Sequence, residues 1–156
     1  MKNAVIAGTF DPVTTGHLDM IRRAAALFDN VTVGIFENAD KKPMFSAAVR
    51  VEAMRAAVKE LKNVTVEPAG NVALADFAAA RSAVIVKGIR NAVDADYEIQ
   101  LSDINKEING VETVILASSP EYSFISSTFV REMIKYGKPY EKYVPRGAYE
   151  IIKKAL

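Results

Sequence analysis

The sequence predicts an α/β fold: a three-layer α/β/α sandwich around a five-stranded parallel sheet. Three observations carry that prediction. Short β-branched runs alternate with segments of helical periodicity along all 156 residues. Every connection between successive runs is long enough for a helical crossover, which parallel strands require. The fourth run, Ala83-Val84-Ile85-Val86, is apolar throughout, as a strand covered on both faces must be. Half of the residues are hydrophobic, enough for one domain over 1–156 with its own core.

Taken in order, Val5-Ile6-Ala7 is the first strand, and Gly8-Thr9-Phe10-Asp11-Pro12 breaks it. A helix starts near Gly16, with Leu18, Ile21, Ala25 and Phe28 on one stripe. Asp29-Asn30 ends it, and Val31-Thr32-Val33-Gly34-Ile35-Phe36 is the second strand. A polar loop over 37–45 carries Lys41-Lys42-Pro43. Ser46 caps a helix to about residue 62 that turns Val51, Met54, Val58 and Leu61 inward. Val64-Thr65-Val66-Glu67 is the third strand, and Pro68-Ala69-Gly70-Asn71 turns the chain into a helix over 72–81. The fourth strand runs into Lys87-Gly88-Ile89-Arg90-Asn91. A long helix over 93–109 stops at Gly110, a C-cap residue. Residues 111–117 form the fifth strand, 118–127 a Ser-rich loop, and helices end near Gly137 and at the C-terminus.

Sheets of this kind bind ligands beyond the carboxyl ends of their strands, where strand order reverses. With the order 3-2-1-4-5, strands one and four are neighbours at that point. The loops after strands one, four and five then bring Thr9 and His17, Lys87 and Arg90, and residues 123–128 to one rim.

Composition excludes several classes. A net charge of +1 gives no bulk attraction to nucleic acid or to a membrane surface. No apolar run is long enough to span a bilayer. Met1-Lys2-Asn3 leads directly into a strand, without the apolar stretch of a signal peptide. The absence of cysteine removes disulfides, thiolate metal sites and a cysteine nucleophile. A cytoplasmic location is the expectation. Neither Gly-x-Gly-x-x-Gly after strand one nor Gly-x-x-x-x-Gly-Lys-Ser/Thr occurs, which argues against a dehydrogenase of the Rossmann type and a P-loop ATPase.

What remains is a set of anion donors without a base. His17, the single histidine, falls in the first turn of a helix, whose free N–H groups and partial positive charge attract anions. A lone histidine more often serves structure than catalysis. Here the positive helix end favours the neutral ring, able to donate one hydrogen bond to a phosphate oxygen. Lys87 and Arg90 flank Gly88 just past a buried strand, where cations run against the helix dipole. Ser126, Ser127, Thr128 and Arg131 offer hydroxyls and a cation around another helix start, a plausible phosphate cradle. Asp94 and Glu98 read as surface acids, and Tyr97 and Leu101, four apart, as packing residues. No carboxylate pair or His/Asp/Glu cluster suggests a protein-ligated metal. Donors without a base fit phosphoryl or nucleotidyl transfer, where positioning and charge stabilisation do most of the catalysis.

Two motifs then carry a resemblance. Thr14-Thr15-Gly16-His17, after Gly8-Thr9-Phe10-Asp11-Pro12, resembles the T/HxGH signature of the nucleotidyltransferase α/β phosphodiesterase superfamily. Ile125-Ser126-Ser127-Thr128-Phe129-Val130-Arg131 resembles its ISSTxxR signature. Within it, Lys41-Lys42-Pro43-Met44-Phe45, Lys87-Gly88-Ile89-Arg90, Asp96-Tyr97-Glu98 and 122–127 look, in order, like the bacterial phosphopantetheine adenylyltransferase family. The resemblance implies a Rossmann-like sheet of HUP type. It also implies transfer of the adenylyl group of ATP to 4′-phosphopantetheine, with Mg²⁺ arriving on the nucleotide, a homohexamer, and coenzyme A as an inhibitor in the same cleft. It implies catalytic roles for His17, Lys41 and Arg90. It assigns the acceptor substrate to Thr9, Lys41, Leu74 and Lys87. ATP falls to Thr9, Phe10, His17, Gly88, Ile89, Arg90, Glu98, Tyr122, Ser123, Phe124, Ile125, Ser126, Ser127 and Thr128. Alternatives are another adenylyl- or cytidylyltransferase of the superfamily, and a non-catalytic nucleotide- or coenzyme A-binding module.

Overall fold

The computed structural model describes residues 1–37 and 42–156. Five parallel strands, β1 (Asn3–Gly8), β2 (Asn30–Phe36), β3 (Val64–Gly70), β4 (Ala83–Ile89) and β5 (Thr113–Ala117), form one sheet in the order β3-β2-β1-β4-β5. Helices α1 (Thr15–Leu27), α2 (Ala47–Val58), α3 (Leu74–Ala79), α4 (Ala92–Asn109), α5 (Ser127–Lys135) and α6 (Arg146–Lys154) surround it, with short 3₁₀ turns at Pro120–Tyr122 and Glu141–Tyr143. The predicted sandwich and strand order are therefore present.

Strand alternation splits the core in two. Ala4 and Ile6 of β1 face a large cluster with Leu18 and Ile21 of α1, Met54 of α2, Val130 of α5 and Ile152 of α6. Val5, between them, faces a smaller cluster with Phe77 and Ala78 of α3 and Ile85 of β4. The central strands are buried because both layers cover them. By contrast, α4 buries none of its residues and β5 stays half-exposed at the sheet edge.

Two strands run further than their residue types suggest. The expected turn at Pro68 is strand: β3 continues to Gly70, with a register shift opposite Ile35 and Phe36. It lies at the sheet edge, where a proline's missing N–H costs no ladder bond. Likewise β4 does not end at Val86. Lys87, Gly88 and Ile89 pair with Ile115, Leu116 and Ala117 of β5, so the expected basic loop is the end of a strand. Conversely, the helix expected over 72–81 is the single short α3.

Gly110 closes α4 with φ of 67°, its N–H on the carbonyl of Lys106, as a left-handed cap. Gly147 matters for a different reason. A Cβ there would sit 2.5 Å from the carbonyl oxygen of Ala56, because α6 lies directly on the backbone of α2. Gly147→Ala is expected to destabilise the fold by about 1–3 kcal/mol, the usual cost of overpacking. Urea unfolding should show a lower midpoint with an unchanged slope. A midpoint equal to that of the parent chain would show that the two helices part without strain.

Candidate active site

The sheet's carboxyl rim is built on the entry to α1. Thr14, fully buried, is the N-cap: its Oγ1 accepts the N–H of His17 at 3.3 Å. In return Nδ1 of His17 accepts the N–H of Thr14 at 3.0 Å and stands 3.1 Å from Thr14 Oγ1. This is a capping box in which histidine takes the place usually held by Glu or Gln. An N–H proton fixed by the backbone occupies Nδ1, so the neutral ring carries its own proton on Nε2. The ring also meets the edge of Phe10 at 4.9 Å between centroids. Phe10 is buried although its backbone is left-handed at φ of 47°, a conformation costly for an aromatic residue and held here by packing. Burial first, and the Arg90 charge second, lower the pKa of His17 from 6.5 to about 4. At neutral pH the residue is a neutral Nε2–H donor.

A cleft of about 350 Å³ opens between β1, β4 and the 118–127 segment. It brings together Thr9, Phe10, His17, Lys87, Gly88 and Arg90. Across from these it is lined by Glu98, Tyr122, Ile125, Ser126 and Ser127. Asp94, Tyr97 and Met20 join them, residues that sequence reasoning assigned to surface, packing or nothing. The position of Asp94 and Glu98 one helical turn apart, just after the Lys87–Arg90 pair, is the signal that would have found them. Lys87 Nζ stands 3.4 Å from Glu98 Oε2, which is buried and accepts no hydrogen bond. Arg90 Nε donates to Asp94 Oδ2 at 2.9 Å, and this bond holds the Asp94 carboxyl below its ordinary range.

The α5 entry differs in detail from a hydroxyl cradle. Ser126 Oγ caps the helix by accepting the N–H of Phe129. Ser127 Oγ donates to the carbonyl of Pro12, and Thr128 Oγ1 accepts from Arg131, whose Nη1 donates to the carbonyl of Asp11. Of the three hydroxyls, that of Ser127 ties α5 to the β1 loop, while those of Ser126 and Thr128 accept within α5. What α5 offers a ligand is its first-turn N–H groups, Ser127 and Thr128, which have no intrahelical acceptor. The Thr15 and Gly16 N–H groups of α1 stand likewise.

A second cavity of about 550 Å³ lies beside the first, shared through Thr9 and Ser127, and lined by Lys42, Arg50, Thr128 and Arg131 among others. Lys41 lies outside the described residues. Leu74 lines neither cavity and packs against the smaller core cluster. Ile89, Ser123 and Phe124 line neither cavity. Among the described residues no group of three or more His, Cys, Asp or Glu could hold a metal ion.

Two helix N-termini, one neutral imidazole N–H and cations already paired with acids make a site for binding and aligning anions. Comparisons with known proteins agree. Residues 5–133 match the cytidylyltransferase-like family model. A phosphopantetheine adenylyltransferase of Buchnera aphidicola subsp. Acyrthosiphon pisum is 42% identical over 157 residues, covering 99% of this chain and 95% of the relative. Those of Pseudarthrobacter chlorophenolicus and Symbiobacterium thermophilum are 43% and 45% identical, covering 94% and 93% of this chain and 89% and 90% of their own. With its fold, its rim of anion donors and this similarity along nearly its whole length, the chain belongs to the cytidylyltransferase-like family, in the branch of the phosphopantetheine adenylyltransferases.

Proposed function

We propose that the chain transfers the adenylyl group of ATP to 4′-phosphopantetheine, giving dephospho-CoA and pyrophosphate, the penultimate step of coenzyme A synthesis. The supporting observation is His17: a neutral Nε2–H donor at a helix N-terminus, in a cleft with several anion donors, where the two carboxylates that could act as a base, Asp94 and Glu98, stand against Arg90 and Lys87. The acceptor phosphate is already an anion at neutral pH, so no base is needed. One of its oxygens attacks the α-phosphorus. The bond to the bridging oxygen breaks, and pyrophosphate leaves with the electron pair. Charge grows on the α-phosphoryl oxygens, where the His17 N–H would be aimed, and on the leaving group. Lys87, Arg90 and the N-termini of α1 and α5 hold the repelling anions in line. Thr9, Phe10, Gly88, Ile89 and 122–128 are assigned to ATP. Glu98 belongs to the same site, its unpartnered Oε2 an acceptor for an O–H or N–H group of the nucleotide. Thr9, Lys41, Leu74 and Lys87 are assigned to the acceptor; Lys42, which lines the second cavity, is the basic-loop cation within the described residues.

Mg²⁺ is carried by the nucleotide, its ligands phosphate oxygens and water; when bound it neutralises part of the triphosphate charge. Coenzyme A, which holds both product halves, is a candidate inhibitor of the same cleft. No helix among the described residues is long and apolar enough to cross a membrane, in keeping with a cytoplasmic enzyme. A homohexamer is supported by α4, where Val93, Tyr97, Ile104 and Ile108 form one stripe, each at least half exposed.

Pyrophosphate release from ATP should require phosphopantetheine; release without it, or none with it, removes this reading. His17→Ala should lower kcat at least tenfold in a folded protein, since losing one transition-state donor costs about 3 kcal/mol. As the only histidine, His17 gives a single imidazole signal by NMR, expected to titrate near pH 4. The unfolded chain takes up that proton first, near 6.5, so folding stability should fall as pH drops from 6.5 toward 4. Turnover at neutral pH should show no inflection from this group. Ile108→Asp should shift the assembly to smaller species in sedimentation velocity; an unmoved hexamer would clear α4 of a role in assembly.

A further inference from the structure

Two buried charged side chains beside the cleft have no part in the chemistry above. Asp11, 5% exposed, accepts the backbone N–H of Met44 at 2.8 Å and of Phe45 at 2.9 Å, one on each carboxylate oxygen. Arg50, 3% exposed and in the first turn of α2, donates from Nε to the carbonyl of Phe45 at 3.2 Å. Its Nη1 donates to the carbonyls of Thr9 at 2.8 Å and Phe36 at 3.0 Å. Phe45 is therefore held at its N–H by one charge and at its C=O by the other. Phe36 is the last residue of β2, and Met44 and Phe45 lie just before the Ser46 cap of α2. Phe36, and the described segment carrying Lys42, residues 42–45, are thereby fastened to Thr9 and Asp11 of the β1 loop.

The character of Arg50 sets it apart from packing. Among the described residues no carboxylate lies within ion-pair distance of it. Burying a guanidinium is costly, and an apolar residue of similar size would fill the volume at no such cost. What only the guanidinium supplies is a rigid planar fork that reaches three carbonyls from three segments at once. Its charge also lines the second cavity, with Lys42 and Arg131, and so adds to the field there.

We propose that Asp11 and Arg50 are positioning residues that set where Thr9 and the Lys42 segment stand, and hence how the acceptor's phosphate is seated. The substrate named here rests on the function proposed above. These bonds do not reach 118–127 or α4, which form the nucleotide side of the cleft; Asp11 also stands 3.8 Å from Arg131 of α5, and Thr9 is shared by both substrates. The effect of loosening them should fall chiefly on the acceptor.

The test uses the full-length protein. In Arg50→Lys, whose single ammonium cannot span the three carbonyls, KM for phosphopantetheine should rise about tenfold while KM for ATP stays within about threefold. In Asp11→Asn, which loses one of two acceptors, the Met44 and Phe45 amides should exchange hydrogen at least about tenfold faster, with the Val33 amide of β2 still protected. If Arg50→Lys does not fold, Asp11→Asn carries both readouts, the KM asymmetry included. Equal rises of both KM values would overturn the proposal. So would Met44 and Phe45 amides that exchange as fast in the parent chain as in Asp11→Asn. A parent chain that releases no pyrophosphate with both substrates present would refute the acceptor reading instead, and the exchange data would still decide whether the bracket holds the segment.

Discussion

The reciprocal bond between Thr14 and His17 is the constraint on which the site depends. It satisfies two N–H groups at the start of α1, a structural need of any helix. In doing so it consumes Nδ1 of the only imidazole and leaves the proton on Nε2. One interaction thus fixes a helix start, the ring's orientation and its tautomer. Burial then keeps the ring neutral, so it donates at neutral pH without the cost of a buried charge. The left-handed backbone at Phe10 belongs to the same arrangement. Its ring packs edge-on against His17 at the point where β1 gives way to the loop.

Much of this was legible in the residues. Alternating periodicity gave the layers, and the glycine after the long helix gave its end. The position of His17 one turn into a helix pointed to an anion donor. What escaped had one physical origin, partners distant in sequence. The length of β4 depends on pairing with β5, so Lys87 and Gly88 read as loop until Ile115 and Leu116 are set beside them. Pro68 reads as a turn unless its strand is known to lie at an edge. Three hydroxyls in a row suggest a phosphate cradle, yet Ser127 spends its hydroxyl on Pro12, 115 residues away. Arg50 carries no local signal: its three acceptors lie 5, 14 and 41 residues off.

Charge compensation links the near-neutral composition to the site. Three cations of the rim have an acid: Lys87 faces Glu98, Arg90 holds Asp94, and Arg131 stands 3.8 Å from Asp11. An empty cleft of bare cations would repel itself and lower the stability of the fold. Pairing removes that strain while leaving the N–H groups of two helices free. An incoming anion therefore meets directional donors first, and gains cation contacts only to the extent that it competes with carboxylates already present. Such a site discriminates by geometry, because bulk charge has been neutralised before the ligand arrives.

Two of these three acids sit on α4, the one α-helix among the described residues that buries none of its residues. Asp94, Tyr97 and Glu98 all line the cleft and all belong to α4, which buries no residue and packs chiefly on α3 and β4. Its apolar stripe of Val93, Tyr97, Ile104 and Ile108 faces away from any core. In the proposed assembly that stripe is covered, and the helix gains the packing that its own chain does not provide. Tyr97 belongs to both surfaces, the stripe and the cleft wall. Whatever fixes the stripe then also fixes the carboxylates that face Lys87 and Arg90, so the electrostatics of the cleft would depend on a contact made outside it.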